Sequence, residues 1–417
     1  MFVVWCALFV FPGVLAAQAL DDSKLPYRQQ PIDYFGAETD NPVARLGQKL
    51  ERGEARLEHA EEQGYLLSLL KALEVPVSSQ MLVFAKNSVN ARIISPENPR
   101  ALYFNDEVYV GWVPGAPAVE ISAIDPGKGA LFYTLRQQSG SAPRLVREES
   151  CLLCHASANA LNVPGHLLRS FLTDPEGNPQ RGISKVSHDT PFSHRWGGWY
   201  VTGDLGETPH QGNLTTAVDL REYERNPDGP GRMVDLGERL KGKVYPSLQS
   251  DAVALLVHDH QVHFHNLVTR VNFEERLARW TRTTQVPDET GPPATVTATE
   301  EQLVRYLLFV DAPALESPIL GSSSFETEFS RQGTRDRKGR SLRQFDLETR
   351  LFRYRCSYLI ESRAFAALPE ASRRRISRRL SEVLQSPTPE SPYDRIPRAE
   401  RQTVVEILKE IRPGLLP

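Results

Sequence analysis

Two cysteines separated by two residues and followed at once by a histidine occur in the run Cys151-Leu-Leu-Cys154-His155. In c-type haem attachment, two thiols add across the vinyl groups of a haem while the adjacent histidine ligates the iron. The spacing in this run meets that requirement without exception. It therefore predicts one covalently attached haem c, held by Cys151, Cys154 and His155.

Three other interpretations of this run stay open. A thioredoxin-like dithiol uses the same cysteine spacing, but it needs no histidine at the next position and usually begins a helix in a βαβ setting. A zinc site would need a fourth ligand, and Cys356, the remaining cysteine beyond the first residues, stands alone. A short-loop disulfide is the simplest alternative. The aromatic and apolar neighbours of Cys356 predict a buried free thiol without a catalytic role.

An apolar stretch at the start of the chain ends in the Ala-x-Ala pattern Ala17-Gln18-Ala19. The stretch is too short to span a bilayer comfortably and predicts a cleaved secretory signal over residues 1–19, although no Lys or Arg precedes it. A retained N-terminal anchor is the alternative. Because c-type haem is attached outside the cytoplasm, the leader supports the haem prediction. We expect a periplasmic or secreted protein whose mature chain contains no membrane span.

Composition and charge exclude some classes of partner. The 417 residues are 40% hydrophobic and 24% charged, which is ordinary for a globular protein of two or three domains. The net charge of −3 gives no electrostatic case for nucleic acid or an anionic membrane surface. The arginine-rich stretch 331–355 also contains acidic residues. It predicts a solvated face or, as the alternative, a docking surface for an acidic redox partner.

The elements that must position the haem motif change in type along the chain. Leucine periodicity between Asn41 and Leu73 predicts amphipathic helices. Short β-type runs separated by turn signals over 81–146 predict an antiparallel meander that leads into the motif. After the motif, a stretch rich in Gly, Pro and aromatic residues predicts irregular structure as far as Gly212. A helical pattern then covers about 251–280, with Ser250 placed to cap it.

These patterns together predict an α+β fold: an antiparallel β meander leading into a c-type haem site, then an irregular region and a helical C-terminal part. No internal repeat is visible. The predicted divisions are a signal peptide (1–19), an N-terminal helical segment (20–80), a haem-binding domain (81–280), a linker (281–299) and a mostly helical C-terminal region (300–417).

A second iron ligand is predicted on the helical pattern around Val257–His265. At about 100° per residue, His260 lies in the middle of the apolar face and His263 at its edge, while His258 and His265 point roughly opposite, towards expected solvent. An unpaired buried imidazole nitrogen costs on the order of 1–3 kcal/mol, so His260 needs a partner. Haem iron is one such partner. A core histidine bonded to a backbone carbonyl or a carboxylate is the alternative.

Two further residues are candidates for the haem pocket. His166 follows the motif closely, and histidine is readily used as an axial ligand. Met233 lies in a loop, where methionines serve as the usual sixth ligand of low-spin electron carriers. His188, His194 and His210 could also face the haem, but we expect most of them to hydrogen-bond within loops.

Six runs between Met81 and Leu368 carry a wider resemblance: Asn98-Pro-Arg-Ala-Leu-Tyr-Phe-Asn-Asp106, Val108-Tyr-Val-Gly-Trp112, Val163-Pro-Gly-His-Leu167, Arg195-Trp-Gly-Gly-Trp-Tyr-Val-Thr-Gly203, His260-Gln261 and Gly339-Arg-Ser-Leu-Arg-Gln-Phe-Asp346. In these runs the chain resembles a family of exported bacterial proteins described as cytochrome c domain-containing. The resemblance implies one haem per chain and electron transfer or haem binding. Relatives carry a methionine directly after the histidine that corresponds to His210 in the run His210-Gln-Gly-Asn213. This chain has Gln211 at that position, so it offers no methionine ligand there. The layout of β-runs before the motif is also similar to cytochrome P460, in which a β-rich domain holds a haem c that performs oxidation.

The sequence thus predicts an exported monohaem c-type cytochrome that exchanges electrons with a periplasmic redox partner protein. One alternative is a haem enzyme of the peroxidase or P460-like type with an open iron position. The other is a haem module that binds or senses a gas. The length of the chain favours an enzyme a little, because a simple carrier needs far fewer residues, yet no general acid–base pair is recognisable. The oligomeric state stays open.

Overall fold

A computed structural model of the chain describes residues 25–140, 142–284 and 297–416. The predicted signal peptide, at 1–19, lies outside the described residues, and so does most of the predicted linker at 281–299. Within the described residues a six-stranded antiparallel sheet precedes a long helix and several shorter helices. The predicted α+β class and its order of strands before helices are therefore confirmed.

The sheet is a meander in which each strand pairs with the next strand along the chain. All five residues of its third strand are buried. Because successive side chains of a strand point to opposite faces, both faces of the sheet are covered there. The strands are β1 (Met81–Val83), β2 (Arg100–Phe104), β3 (Val108–Trp112), β4 (Ala118–Asp125), β5 (Gly129–Arg136) and β6 (Leu145–Arg147).

A two-stranded hairpin, β7 (Arg169–Thr173) with β8 (Pro179–Lys185), lies in the region predicted to be irregular. The prediction was wrong at this point. Asp174 begins the connecting turn, and its Oδ1 accepts hydrogen bonds from the backbone N–H groups of Glu176 and Asn178. Asx turns of this kind are a recognisable signal, so the turn could have been identified from Asp174-Pro-Glu-Gly-Asn178.

Eleven α-helices occur within the described residues, and a hydrophobic core that runs from Tyr34 to Leu416 joins several of them to the sheet. No helix in these parts of the chain has the length and apolar character that crossing a membrane requires. The helices are α1 (Pro42–Glu51), α2 (Leu66–Ala72), α3 (Leu152–His155), α4 (Ala217–Arg225), α5 (Leu236–Arg239), α6 (Ala252–Thr284), α7 (Ala298–Leu307), α8 (Phe325–Arg331), α9 (Arg363–Ala366), α10 (Glu370–Gln385) and α11 (Arg398–Ile411).

The long helix α6 is buried around almost its whole circumference from Ala252 to Phe273. His258 and His265, predicted to face solvent, are only 5% and 1% exposed. That prediction was wrong because it assumed a helix with one covered face. In the structure His258 contacts Phe104 from the sheet, while helices α7, α8, α9 and α10 pack against other parts of α6.

The N-terminus of α6 is capped by Asp251 rather than by the predicted Ser250. Asp251 Oδ1 accepts hydrogen bonds from the backbone N–H groups of Val253 and Ala254, at 2.8 and 2.9 Å. The hydroxyl of Ser250 instead donates to the carbonyl oxygen of Tyr200 at 2.6 Å. The cap is therefore displaced by one residue from its predicted position, because Ser250 is used to join neighbouring segments.

The other carboxylate oxygen of Asp251 accepts the backbone N–H groups of Ser322 and Ser323, at 2.6 and 2.7 Å. One buried carboxylate thus satisfies four backbone donors on two segments that are far apart in the chain. Asp251 joins the start of α6 to the loop before α8.

We predict that Asp251→Ala lowers the free energy of unfolding by about 4 kcal/mol, because it leaves four largely buried donors without an acceptor. Urea unfolding followed by circular dichroism measures the change. The matched control is Asp235→Ala, which removes an exposed cap that accepts two backbone N–H groups at the start of α5, and which should cost about 1 kcal/mol. Equal losses in the two variants would contradict this role of Asp251.

Candidate haem site

The predicted haem motif forms a single helical turn that follows the last strand of the sheet. Cys151 caps α3, and the backbone N–H of His155 donates to the carbonyl oxygen of Cys151 at 2.9 Å. Residues three apart on a helix lie on the same face, so the thiols of Cys151 and Cys154 lie on one side of the turn. Both cysteines are free, and Cys154 is exposed. The turn therefore presents two thiols and one imidazole within five consecutive residues.

The imidazole of His155 is held by a reciprocal pair of hydrogen bonds with Gly165. Nδ1 of His155 lies 3.0 Å from the carbonyl oxygen of Gly165, and the backbone N–H of Gly165 donates to the carbonyl oxygen of His155 at 2.9 Å. A proton on Nδ1 leaves the lone pair on Nε2 for a metal, and metal-binding histidines are commonly oriented in this way. Burial lowers the pKa of His155 to about 4, so the ring is neutral at pH 7.

Helix α6 determines the position of Gly165. The side chain of Asn266 accepts the backbone N–H of His166 and donates to its carbonyl oxygen, both at 2.9 Å. A Cβ atom at position 165 would lie 2.3 Å from Oδ1 of Asn266. Only glycine fits between the loop and this buried amide. The orientation of His155 therefore depends on a contact with the central helix.

Two arginines near the motif have buried nitrogens without a hydrogen-bond partner among the described residues. These atoms are Nε of Arg100, on β2, and Nε of Arg169, on β7. Burial is the largest cause of the lowered pKa of His155, and the positive charges of these two arginines lower it further. Nε of Arg100 lies 3.2 Å from Oε2 of Glu120, but the two atoms are not aligned for a hydrogen bond. Arg100 is therefore already ion-paired with Glu120, whereas Nε of Arg169 has no partner in the described part of the chain.

His166 is buried beside the motif with one ring nitrogen occupied and the other unpaired. Nε2 lies 2.7 Å from the hydroxyl oxygen of Ser122, whereas Nδ1 has no partner in the described part of the chain. The ring packs against Tyr109, with the ring centres 4.2 Å apart. Burial, followed by the neighbouring His155, lowers the pKa of His166 well below its usual value. His166 is therefore a neutral imidazole close to His155.

His258 and His265 lie on the same side of α6 as Tyr109, whose ring contacts both of them. Nε2 of His265 lies 3.0 Å from the carbonyl oxygen of Asp106. Nδ1 of His258 is buried and has no partner among the described residues. Burial lowers the pKa of His258 to about 3. The sequence did not identify His258 as a candidate because it was expected to face solvent.

His260, the predicted second iron ligand, has protein partners on both ring nitrogens. Nδ1 lies 2.6 Å from Nδ1 of His188, and Nε2 lies 2.6 Å from the hydroxyl oxygen of Ser357. The ring stacks on Tyr306 of α7. The described contacts of His155 and His260 have no residue in common. This geometry favours the alternative of a core histidine, because iron binding by His260 would require one of two short contacts to break.

His188 continues the chain of contacts that begins at Ser357. Its Nε2 lies 2.7 Å from Oδ1 of Asp189, which is partly exposed. The two atoms form an ion-pair contact but are not aligned for a hydrogen bond. The shorter contacts are consistent with Nδ1 of His260 donating to Nδ1 of His188 and with the Ser357 hydroxyl donating to Nε2 of His260. The order Asp189, His188, His260, Ser357 thus satisfies both ring nitrogens of His260. The sequence could not indicate this set, because its members come from three distant segments.

The remaining candidates lie apart from the motif. Met233 is 58% exposed and His194 is also exposed. Nδ1 of His210 accepts the backbone N–H of Gly212 at 3.0 Å, which is the loop role expected for it. His263 is partly buried, and its ring contacts Tyr306 on the same side of α6 as His260. None of these contacts links Met233, His194, His210 or His263 to His155.

Comparisons with protein families, with curated proteins and with solved structures found no match. Within the described parts of the chain, no group of three or more His, Cys, Asp and Glu side chains is arranged to hold a metal ion. The zinc interpretation of the motif needed a fourth protein ligand, and no such group is present in those residues. Cys356 is buried and free, as predicted.

We predict that Gly165→Ala lowers the free energy of unfolding by about 2 kcal/mol, because the new methyl group displaces the buried amide of Asn266. Chemical unfolding measures the change. Gly47→Ala is the matched control. Gly47 lies within helix α1, and a Cβ there would meet its nearest neighbour, Leu145, at an ordinary contact distance of 3.8 Å. The control should be neutral or slightly stabilising. A Gly165→Ala protein as stable as the control would show that the loop does not depend on Asn266.

Proposed function

We propose that the protein carries one haem c bound through Cys151, Cys154 and His155. The observation that carries this proposal is the geometry of His155: its Nδ1 is held by the carbonyl oxygen of Gly165 beside two free thiols on the same turn. Covalent attachment needs the thiols, and iron ligation needs a neutral imidazole with Nε2 available. A thioredoxin-like dithiol would make no use of the anchored histidine.

Cationic side chains near the motif suit a haem. Haem propionates are carboxylates, and Arg169, whose Nε lacks a partner, would bind one of them. Arg100 is a second cation there, and it is ion-paired with Glu120. Gly111 faces Arg100 across the sheet, and a Cβ there would lie 2.8 Å from Nε of Arg100. A side chain at position 111 would therefore push Arg100 from its place.

We also propose that His166 would hold the haem iron together with His155. Its Nε2 is held by Ser122, which orients the ring, and its buried Nδ1 is unpaired. An unpaired buried nitrogen is costly, so a metal or an iron-bound ligand is a natural partner for it. His258 is the second candidate for the same role, because its Nδ1 is also unpaired.

The haem would supply an iron that accepts and donates single electrons. The chain's own residues would orient that iron, limit solvent through Tyr109 and Phe132, and set its potential. We propose electron transfer with a redox partner protein in the periplasm or outside the cell, in keeping with the leader sequence. The unpaired nitrogens also support a second candidate function, a haem enzyme in which a distal histidine assists a ligand at an open iron position.

We predict one covalent haem per chain when the full sequence is made in cells with working c-type maturation. Denaturing electrophoresis followed by a haem stain should colour the wild-type band. Cys151→Ala and Cys154→Ala should retain at most one thioether bond and stain poorly. Cys356→Ala, which removes a buried cysteine outside the motif, should stain as the wild type does. A colourless wild-type band would end the haem proposal.

The absorption spectrum with and without carbon monoxide distinguishes the candidate ligands. If His166 ligates the iron, His166→Ala converts a low-spin spectrum into a high-spin, carbon-monoxide-reactive one. His260→Ala should leave the spectrum unchanged and lower the free energy of unfolding by about 1–3 kcal/mol, because it leaves His188 and Ser357 without their partner. A spectrum that responds to His260→Ala and not to His166→Ala would restore His260 as the ligand. A wild-type spectrum that is already high-spin and reactive would favour the enzyme.

A further inference from the structure

A pocket lies beside the stacked histidines His188 and His260, and none of its lining residues belongs to the candidate haem site. The cavity has a volume of about 100 Å³ and opens to solvent, so its enclosed part accommodates only a small ligand. Its walls come from the segment 188–195 that follows β8, from α6, and from the two irregular stretches 309–315 and 349–355.

The charged side chains in the wall of this pocket are all cationic. Arg195, Arg350 and Arg355 line it, whereas no Asp or Glu does. Nε of Arg350 is buried and has no hydrogen-bond partner among the described residues. Arg355 donates through Nε to Glu400 at 3.1 Å, and no described residue accepts from its two terminal nitrogens. All three nitrogens of Arg195 donate within the protein, and Nη1 and Nη2 of Arg350 donate to Glu400 and to the carbonyl oxygen of Arg353. The donors that an anion in the pocket would satisfy are therefore the two terminal nitrogens of Arg355.

Carboxylates behind the wall limit the charge of that anion. Asp259 lies 3.2 Å from Nη1 of Arg195, and Glu400 is shared by Arg350 and Arg355. Oδ2 of Asp346 also lies 4.0 Å from Nε of Arg350. Because three carboxylates thus balance the three arginines, a second negative charge on a ligand would have no compensating charge. The electrostatics favour a monoanion over a phosphate dianion.

The rest of the wall is apolar and aromatic. Leu256 of α6, Phe309 and Phe352 are buried and line the pocket, and the ring centres of Phe309 and Phe352 are 5.6 Å apart. Such a surface gains free energy by covering an apolar body of a ligand and gives nothing to an inorganic ion. The ligand must therefore combine a single negative charge with an apolar part.

We propose that this pocket binds a small organic monocarboxylate, with its carboxylate at the terminal nitrogens of Arg355 and its apolar body against Leu256, Phe309 and Phe352. Guanidinium groups pair with carboxylates through two parallel hydrogen bonds, which gives the site its direction. None of the residues of the haem motif lines the pocket. His188 lines it directly, and the lining residues Phe309 and Phe352 contact the ring of His260.

Isothermal titration of the full haem-loaded protein with benzoate tests the proposal. Saturable one-to-one binding is expected. Arg355→Gln should weaken it at least tenfold, because a charge-assisted hydrogen bond to the carboxylate is lost. Arg353→Gln is the matched control: it removes the same charge two residues away, from an exposed side chain that does not line the pocket. Affinities reduced equally in both variants would overturn the proposal.

A second variant blocks the pocket without removing a charge. Ala314 is exposed at the pocket, so Ala314→Trp should prevent benzoate binding while circular dichroism and the unfolding midpoint stay unchanged. Inorganic phosphate is the competing probe, and it should displace benzoate poorly. No saturable binding of benzoate, or phosphate binding as tight as benzoate binding, would contradict a monocarboxylate site. The haem stain and spectrum are independent readouts, so either proposal can fail alone.

Discussion

The structure depends on one constraint: helix α6 is buried on nearly every side and yet carries polar side chains around its circumference. A buried polar group must be hydrogen-bonded or its burial is costly. Gln261 shows how the constraint is met. Its amide donates to the carbonyl oxygen of Asn105 and the hydroxyl of Tyr109, and it accepts the hydroxyl of Tyr358. The helix therefore joins the sheet to a C-terminal segment through specific polar contacts as well as through apolar packing.

The candidate haem site inherits its geometry from this arrangement. Asn266 of α6 pairs with the backbone of His166, which is 100 residues away in the chain, and it leaves space at position 165 for glycine alone. Gly165 in turn orients the ring of His155. A motif that is local in sequence is thus positioned by a contact that is not local. This explains why the spacing of Cys151, Cys154 and His155 indicates chemistry but gives no information on the orientation of the ring.

Features that depend on neighbouring residues were predictable from the sequence. The meander of short strands, the long helix and the helical C-terminal part follow from periodicity and turn signals, and the structure has them. The sequence analysis did not predict that α6 is buried around its whole circumference, because the helical-wheel analysis around His260 assumed that one face of the helix meets solvent. A signal was present, since Asp259 and Arg270 are the only charged residues between Ala252 and Val271. A helix so poor in charge is expected to be buried on all sides.

The partners of the buried histidines could not be predicted, because they come from segments that meet only in the fold. The helical-wheel analysis correctly placed His260 in the core. Its observed partners are His188 and Ser357, and neither was predicted. Five buried histidines keep a ring nitrogen without a hydrogen-bond partner among the described residues: His166, His188, His258, His263 and His265. Because they occur on more than one side of α6, an unpaired nitrogen alone does not mark a ligand site. His166 differs from the others in its neighbour, since the adjacent His155 contributes to its lowered pKa. An unpaired nitrogen is costly in a core, and this one lies where the proposed haem would offer it a partner.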